Sequence, residues 1–202
     1  MKKLAIMFLV FVFTAFLSAS AYAANGMQAI GSGSVMRSMG GAGSALPLES
    51  SVITVNPAGM SELEGRFDFS ATYCISNSEY KAAPYTTDYI DSDKEPGAMP
   101  SLGLLIPIND KVNFGLGAYG VAGMGVDYPV GLYGDVVFTS FEMMKFIPAF
   151  SYKINNMFSV GAGLNLDYGT LGFEAGAQEP KNKNSQFGYG VQVGVLGKIT
   201  DN

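Results

Sequence analysis

Very few side chains in this sequence are equipped to make or break bonds. Histidine is absent from all 202 residues, so a serine hydrolase would lack its usual general base, and no Gly-x-Ser-x-Gly turn presents a nucleophile. Zinc sites built from His or Cys are excluded too, because Cys74 is the only cysteine. Two stretches match ligand-binding patterns by letters alone. Gly115-Leu-Gly117-Ala-Tyr-Gly120 has dinucleotide-fingerprint spacing, but it lies in an alternating stretch with no helix after it. Its glycines read as small residues of a strand wall. Asp91-Ser-Asp93-Lys-Glu95 offers hard oxygens for calcium. Pro96 stands where an EF-hand loop needs glycine and the twelfth-place ligand is missing, so this reads as a solvated acidic loop. What remains is Asn56-Pro57-Ala58-Gly59, a turn dipeptide followed by small residues. These residues predict no enzyme, metal or cofactor; function has to come from shape and polarity.

The elements that supply the shape are strands. In Phe187-Gly-Tyr-Gly-Val-Gln-Val-Gly-Val195 the odd positions are bulky and apolar, and the even ones are glycine or glutamine. Alternate side chains of a strand face opposite ways. A soluble sandwich would turn the large apolar face inward and put charge outside. A polar face made mostly of glycine suits the lining of a lumen, and an aromatic-to-aliphatic face suits lipid. Composition agrees: 48% of residues are hydrophobic and only 14% charged, so apolar surface must be hidden in a core or a membrane. The net charge of −5 argues against a nucleic-acid partner. Cys74, alone, forms no disulfide framework and reads as a small strand residue.

Residues 1–23 have the parts of a secretory signal peptide: Lys2 and Lys3, an apolar run from Leu4 to Leu17, and Ala21-Tyr22-Ala23, with cleavage expected after Ala23. That run is too short to span a bilayer as a helix. Residues 24–64 show neither strand nor helix periodicity. Gly and Ser dominate 31–45, yet Val35, Met36, Met39, Leu46, Val52, Ile53 and Val55 are too many apolar groups for a free linker. We expect a compact irregular segment packed inside something else, with a short helical turn over Pro57 to Leu63.

Residues 65–202 predict six strands: Arg66–Tyr73, Met99–Ile108, Val112–Val121, Phe141–Ile154, Phe158–Tyr168 and Phe187–Val195. Long connections over 75–98, 122–140 and 169–184 alternate with short Asn/Asp turns at 109–111 and 155–156. That asymmetry belongs to transmembrane β-barrels. Ile108-Asn109-Asp110, Ile154-Asn155-Asn156 and Ile199-Thr200-Asp201 mark a repeating unit, each following a strand. Open edges in hydrocarbon are costly, so six strands are expected to be the N-terminal part of a longer barrel.

Met39-Gly-Gly-Ala-Gly-Ser-Ala45 with Val55-Asn56-Pro57-Ala58-Gly59-Met60, and the Asn-turn strands that begin near 109 and 155, resemble the FadL-type (OMPP1/FadL/TodX) outer-membrane transporters. The resemblance covers nearly all of the chain after the signal. It implies an all-β, 14-stranded antiparallel barrel in a Gram-negative outer membrane, with six strands present here. It also implies that 24–64 form an internal hatch to which Asn56, Pro57, Ala58 and Gly59 belong. The implied activity is passive uptake of hydrophobic compounds, long-chain fatty acids or aromatic hydrocarbons, through an apolar pocket and a gap in the wall. Two rival readings are a structural or adhesive surface protein acting through its acidic loops, and a general porin. Partners beyond outer-membrane lipid and a hydrophobic ligand are not implied.

Overall fold

The computed structural model describes residues 27–81, 88–132, 135–175 and 182–198. The expected signal peptide, the Ile199-Thr200-Asp201 repeat and Pro84 of the first connection lie outside them. Six long strands form one antiparallel sheet in the order β1 (Arg66–Cys74), β4 (Gly97–Pro107), β5 (Val112–Leu132), β6 (Asp135–Lys153), β7 (Phe158–Ala175) and β8 (Asn182–Gly197). Two short strands, β2 (Glu79–Tyr80) and β3 (Ile90–Asp91), pair with each other within the first connection.

The six predicted strands are all present, but four run further than expected. Most of the supposed long connections at 122–140 and 169–184 are strand: β5 continues to Leu132, β6 starts at Asp135, β7 reaches Ala175 and β8 starts at Asn182. The amphipathic signal fades there while the ladder continues, with pairs such as Val126 with Thr139 and Leu171 with Asn184. Antiparallel pairing satisfies the backbone with or without an apolar face, so alternation marks where a strand is half-buried, not where it ends. The tight turns are as expected. Asn109 Oδ1 accepts hydrogen bonds from the Lys111 and Val112 amides at 2.9 and 3.0 Å, and Asn155 Oδ1 does the same for Met157 and Phe158, both at 2.8 Å. An Asn side chain that replaces a backbone acceptor is what makes such a turn recur.

The two faces differ as the alternation demands. On one, Phe187, Tyr189, Val191, Val193 and Val195 are 67–90% exposed, and Phe146, Phe150, Val160, Leu164 and Leu166 join them. On the other, Leu105, Tyr119, Ile147, Ala149 and Ser159 are buried. The apolar side of β7 runs from Phe158 to Tyr168, about eleven residues, which is what a tilted strand needs to cross hydrocarbon. At its Tyr168 end an aromatic pair forms, Tyr168 with Phe187 at 5.0 Å, where an aromatic girdle would sit. Phe114 and Phe150 pair at 5.1 Å on the same face, level with Ala162.

What covers the second face is the N-terminal segment. It holds α1 (Ser34–Ser38) and two 3-10 turns, Ser50–Thr54 and Pro57–Glu62; the second is the helical turn expected over 57–63. Val52, Ile53 and Met60 pack with Leu105, Tyr119, Val121, Ile147 and Ala149 into one core. Residues 50–62 touch strands from β1 to β8, although six strands side by side span about 24 Å. The sheet therefore curves around this short block.

Candidate functional site

Asn56 is built into its place by local chemistry. It precedes the second 3-10 turn, where its Oδ1 accepts a hydrogen bond from the Ala58 amide at 3.2 Å, and Pro57 follows at the first position of the turn. An Asn cap before a proline is a strong start signal, since proline has no amide to leave unpaired. The remaining amide protons of Asn56 leave the turn. Nδ2 donates to the Ser44 carbonyl at 2.8 Å and to the Val195 carbonyl of β8 at 3.1 Å. One side chain thus ties together the turn, the preceding loop and the wall.

The wall receives the turn through missing side chains. A Cβ at Gly161 of β7 would stand 2.5 Å from the Pro57 carbonyl carbon, and one at Gly194 of β8 would stand 3.0 Å from Pro57 Cδ and run into Asn56 Oδ1. Pro57, Ala58 and Gly59 are buried, with Ala58 at 0% exposure. Asn56, Pro57, Ala58 and Gly59 therefore act as one docked unit seated on two glycines. Further ties were not nameable from sequence. Gln192 Nε2 donates to the Ile53 carbonyl at 2.5 Å, Asn113 Nδ2 to the Met60 carbonyl at 3.2 Å, and Tyr119 Oη to the Ser50 carbonyl at 3.1 Å. The Ser50 amide donates to Asp68 Oδ2 at 2.7 Å, and Lys198 pairs with Glu62. For Gln192, Asn113 and Tyr119 the only sequence signal is a polar side chain at an inward position of a strand that otherwise faces inward largely with glycine.

Beside this block the wall itself opens. The β4–β5 ladder stops at Ser101 opposite Tyr119. Pro100 comes next and has no amide to extend it. Higher up, the chain returns to the same register: the Asp93 amide donates to the Asp127 carbonyl at 2.7 Å, and the Asp127 amide to Ser92 Oγ at 2.9 Å. Between these two ties residues 94–100 and 120–126 form no ladder pairs with each other, and both line a cavity of about 420 Å³. β5 carries a bulge there, its pairing with β6 shifting between Gly120 and Ala122. The lining is mixed: Met99, Met124, Met143, Met144 and Cys74 are soft and apolar, Glu95 and Glu142 are acidic, and Lys94 lies at one side, its Nζ donating to Ser140 Oγ at 3.2 Å. The N-terminal segment reaches the rim of the opening, where the Ala29 amide donates to the Val121 carbonyl at 2.8 Å.

The acidic stretch expected to be a solvated loop is divided: Asp91 is in β3, Asp93 closes the top of the opening and Glu95 lines it. No three His, Cys, Asp or Glu side chains converge as metal ligands among the described residues. Gly115, Gly117 and Gly120 lie within β5, as the alternation implied.

A plugged, curved sheet with a lipid-like outer face calls for comparison with known proteins. The family of outer membrane transport proteins described as OMPP1/FadL/TodX matches residues 10–202. This chain belongs to that family. Two solved structures show the same fold. A FadL homologue from Pseudomonas aeruginosa is 22% identical, with a TM-score of 0.57 over 79% of this chain and 46% of that one. The P. putida toluene transporter TodX is 16% identical, with a TM-score of 0.66 over 86% and 53%. The chain spans about half the length of these structures. No curated protein matches it. As in the FadL/TodX family, the sheet is part of an outer-membrane β-barrel, and its exposed Phe and Val face is the lipid face. Val193→Lys on that face is expected to cost about 2 kcal/mol in a urea titration of the membrane-inserted protein; an unmoved midpoint would remove that assignment.

Proposed function

We propose that this chain contributes a hatch and a side exit to a passive route for hydrophobic molecules across the outer membrane. Residues 24–64, following a signal peptide cleaved after Ala23, are the hatch, and Asn56, Pro57, Ala58 and Gly59 are its fixed point. Ligands of the long-chain fatty acid or aromatic hydrocarbon class leave water for the Met-lined cavity, at roughly 0.8 kcal/mol per methylene buried. They then pass sideways between β4 and β5. The observation that carries this reading is the opening itself: a methionine-rich cavity of about 420 Å³ between β4 and β5, with the N-terminal segment tied to its rim. Its volume is within the ~300–1,000 Å³ of ordinary small-ligand sites, and thioethers adapt to ligands of varied shape.

The rival readings fit less well. A general porin gains nothing from a segment whose Val52, Ile53 and Met60 pack against the inner face of the wall. A surface adhesin has no use for a methionine-rich opening at the level of the wall.

A reversible cross-link across the opening tests the proposal. A Cβ at Gly123 would lie 3.9 Å from the Met99 side chain, close enough for a disulfide after modest adjustment. In the complete protein with Cys74→Ser, the pair Met99→Cys and Gly123→Cys should abolish uptake of a labelled fatty acid or of toluene when oxidised, and restore it on reduction. Undiminished uptake by the oxidised form would refute the side exit.

A further inference from the structure

We infer that the N-terminal segment is two mechanical parts, and that the Glu49 carboxylate is the latch between them. This rests on reading the segment as a hatch. Among the described residues, hydrogen bonds from the barrel strands reach Leu48, Ser50, Ile53, Asn56 and Met60, and none reaches residues 30–47. The first part, residues 48–62, is therefore anchored to the wall along its length. The second is a flap.

The flap has hinges on both sides of α1. Gly31 and Gly33 precede it and Gly40 and Gly41 follow it, at φ of 76°, 81°, 65° and 86°. Those backbone angles are comfortable only for glycine, whose alternative conformations are equally accessible. One end of the flap is tied at Ala29 to the rim of the opening. Between the hinges the flap is held by Glu49, which is buried at 6% exposure, and beyond them the Ser44 carbonyl accepts from Asn56 Nδ2 of the anchor. Glu49 Oε1 accepts hydrogen bonds from the Met36 amide at 2.8 Å and Ser51 Oγ at 2.7 Å, and its Oε2 from the Val35 amide at 3.2 Å. Gly33 is pressed so closely against the carboxylate that a Cβ there would stand 2.5 Å from Oε1. Met36, 3% exposed, is the apolar seat of the same contact.

Glu49 thus joins flap to anchor through two backbone amides, while Ser51 Oγ, within the anchor, holds the carboxylate in position. A carboxylate in such a place is a strong acceptor, and without it those amides are left unpaired. The consequence is an order of release. The stretch carrying α1 can swing on its glycine pairs once the Glu49 bonds break, while the Asn56–Ser44 bond and the ties of residues 48–62 to the wall stay made. Glu49 is a positioning residue; it touches no ligand.

Amide hydrogen exchange on the complete protein in detergent micelles reads this directly and needs no ligand. Glu49→Ala is expected to speed exchange at Val35 and Met36 at least tenfold, leaving the amides of Ala58, Gly59 and β7–β8 at wild-type rates. Glu49→Gln keeps one acceptor oxygen but sets amide protons against a backbone N–H, so it should recover part of the protection. Should Glu49→Ala fail to fold, Ser51→Ala removes one of the three bonds and should give a smaller acceleration confined to the flap. Equal acceleration in flap and anchor, or none in the flap, would overturn the inference. A failure of the transport reading would appear instead as wild-type protein that takes up no hydrophobe while this exchange pattern persists.

Discussion

Asn56→Ala in the complete protein is expected to undock the hatch and let ions leak through the barrel. The substitution deletes three hydrogen bonds, from the Ala58 amide and to the Ser44 and Val195 carbonyls. At about 1 kcal/mol each, with carbonyls left unpaired in a space that alanine cannot fill, the loss is about 3 kcal/mol. That shifts the docked-to-undocked ratio roughly a hundredfold. Exchange at the Ala58 and Gly59 amides should quicken accordingly, and single-channel recordings should show openings absent from the wild type. Asn56→Asp separates the two roles of the side chain. It keeps the acceptor for Ala58 but places a carboxylate against two carbonyls, so it should be at least as damaging as alanine. If Asn56→Ala left both the recordings and hydrophobe uptake unchanged, the residue would not be the fixed point of the hatch.

A larger effect is expected from the wall side of the same contact. Gly161→Val and Gly194→Val place branched side chains where Pro57, Ala58 and Asn56 already lie. The obstacle at Gly161 is backbone, so no change of rotamer relieves it, and overpacking of this kind costs about 3 kcal/mol or more. Valine favours strands, and the lipid-facing pattern is untouched, so the barrel itself should still assemble. The expected product is an inserted barrel with its hatch displaced: persistent ion conductance with wild-type resistance to heat dissociation. Gly188→Val is the control on the same strand. A Cβ there would meet Asp167 Cβ at an ordinary 3.5 Å, and conductance should stay closed. Were Gly161→Val also to stay closed, the seat of the hatch would have to be elsewhere.

The legible parts of this molecule are those that touch lipid. Phe187 to Val195 announce their two faces residue by residue, because hydrocarbon on one side and lumen on the other impose opposite demands at successive positions. Asn109 and Asn155 announce their turns because the side chain itself makes the turn's hydrogen bonds. Beyond the hydrocarbon the same strands lose their signature. Gly123-Met-Gly-Val-Asp127 sets Met124 and Val126 against small or polar neighbours, but the bulge between Gly120 and Ala122 breaks its phase with the strand before it, and it continues β5 because β6 supplies its backbone partners. Asn56-Pro57-Ala58-Gly59 stood out as a turn, but its seat could not be named. Asn56 meets the Val195 carbonyl, and Ile53 meets Gln192, each across 139 residues of sequence. Contacts over such separations follow from strand register, which local pattern does not specify. The opening was hidden for a related reason: only the pairing of Asp93 with Asp127 reveals that β4 and β5 part and then rejoin.

That rejoining makes the gap a buttonhole, not a torn seam. With about seven residues on each lip, its length is limited to roughly 20 Å, whatever passes through it. On the proposed side exit, a slender chain would thread such a slot end-on and a small flat ring would slip through it edgewise. A bulky rigid polycycle would not, because stitches at both ends stop the lips from running further apart. Girth, more than total size or chain length, would then sort what a side exit here lets out.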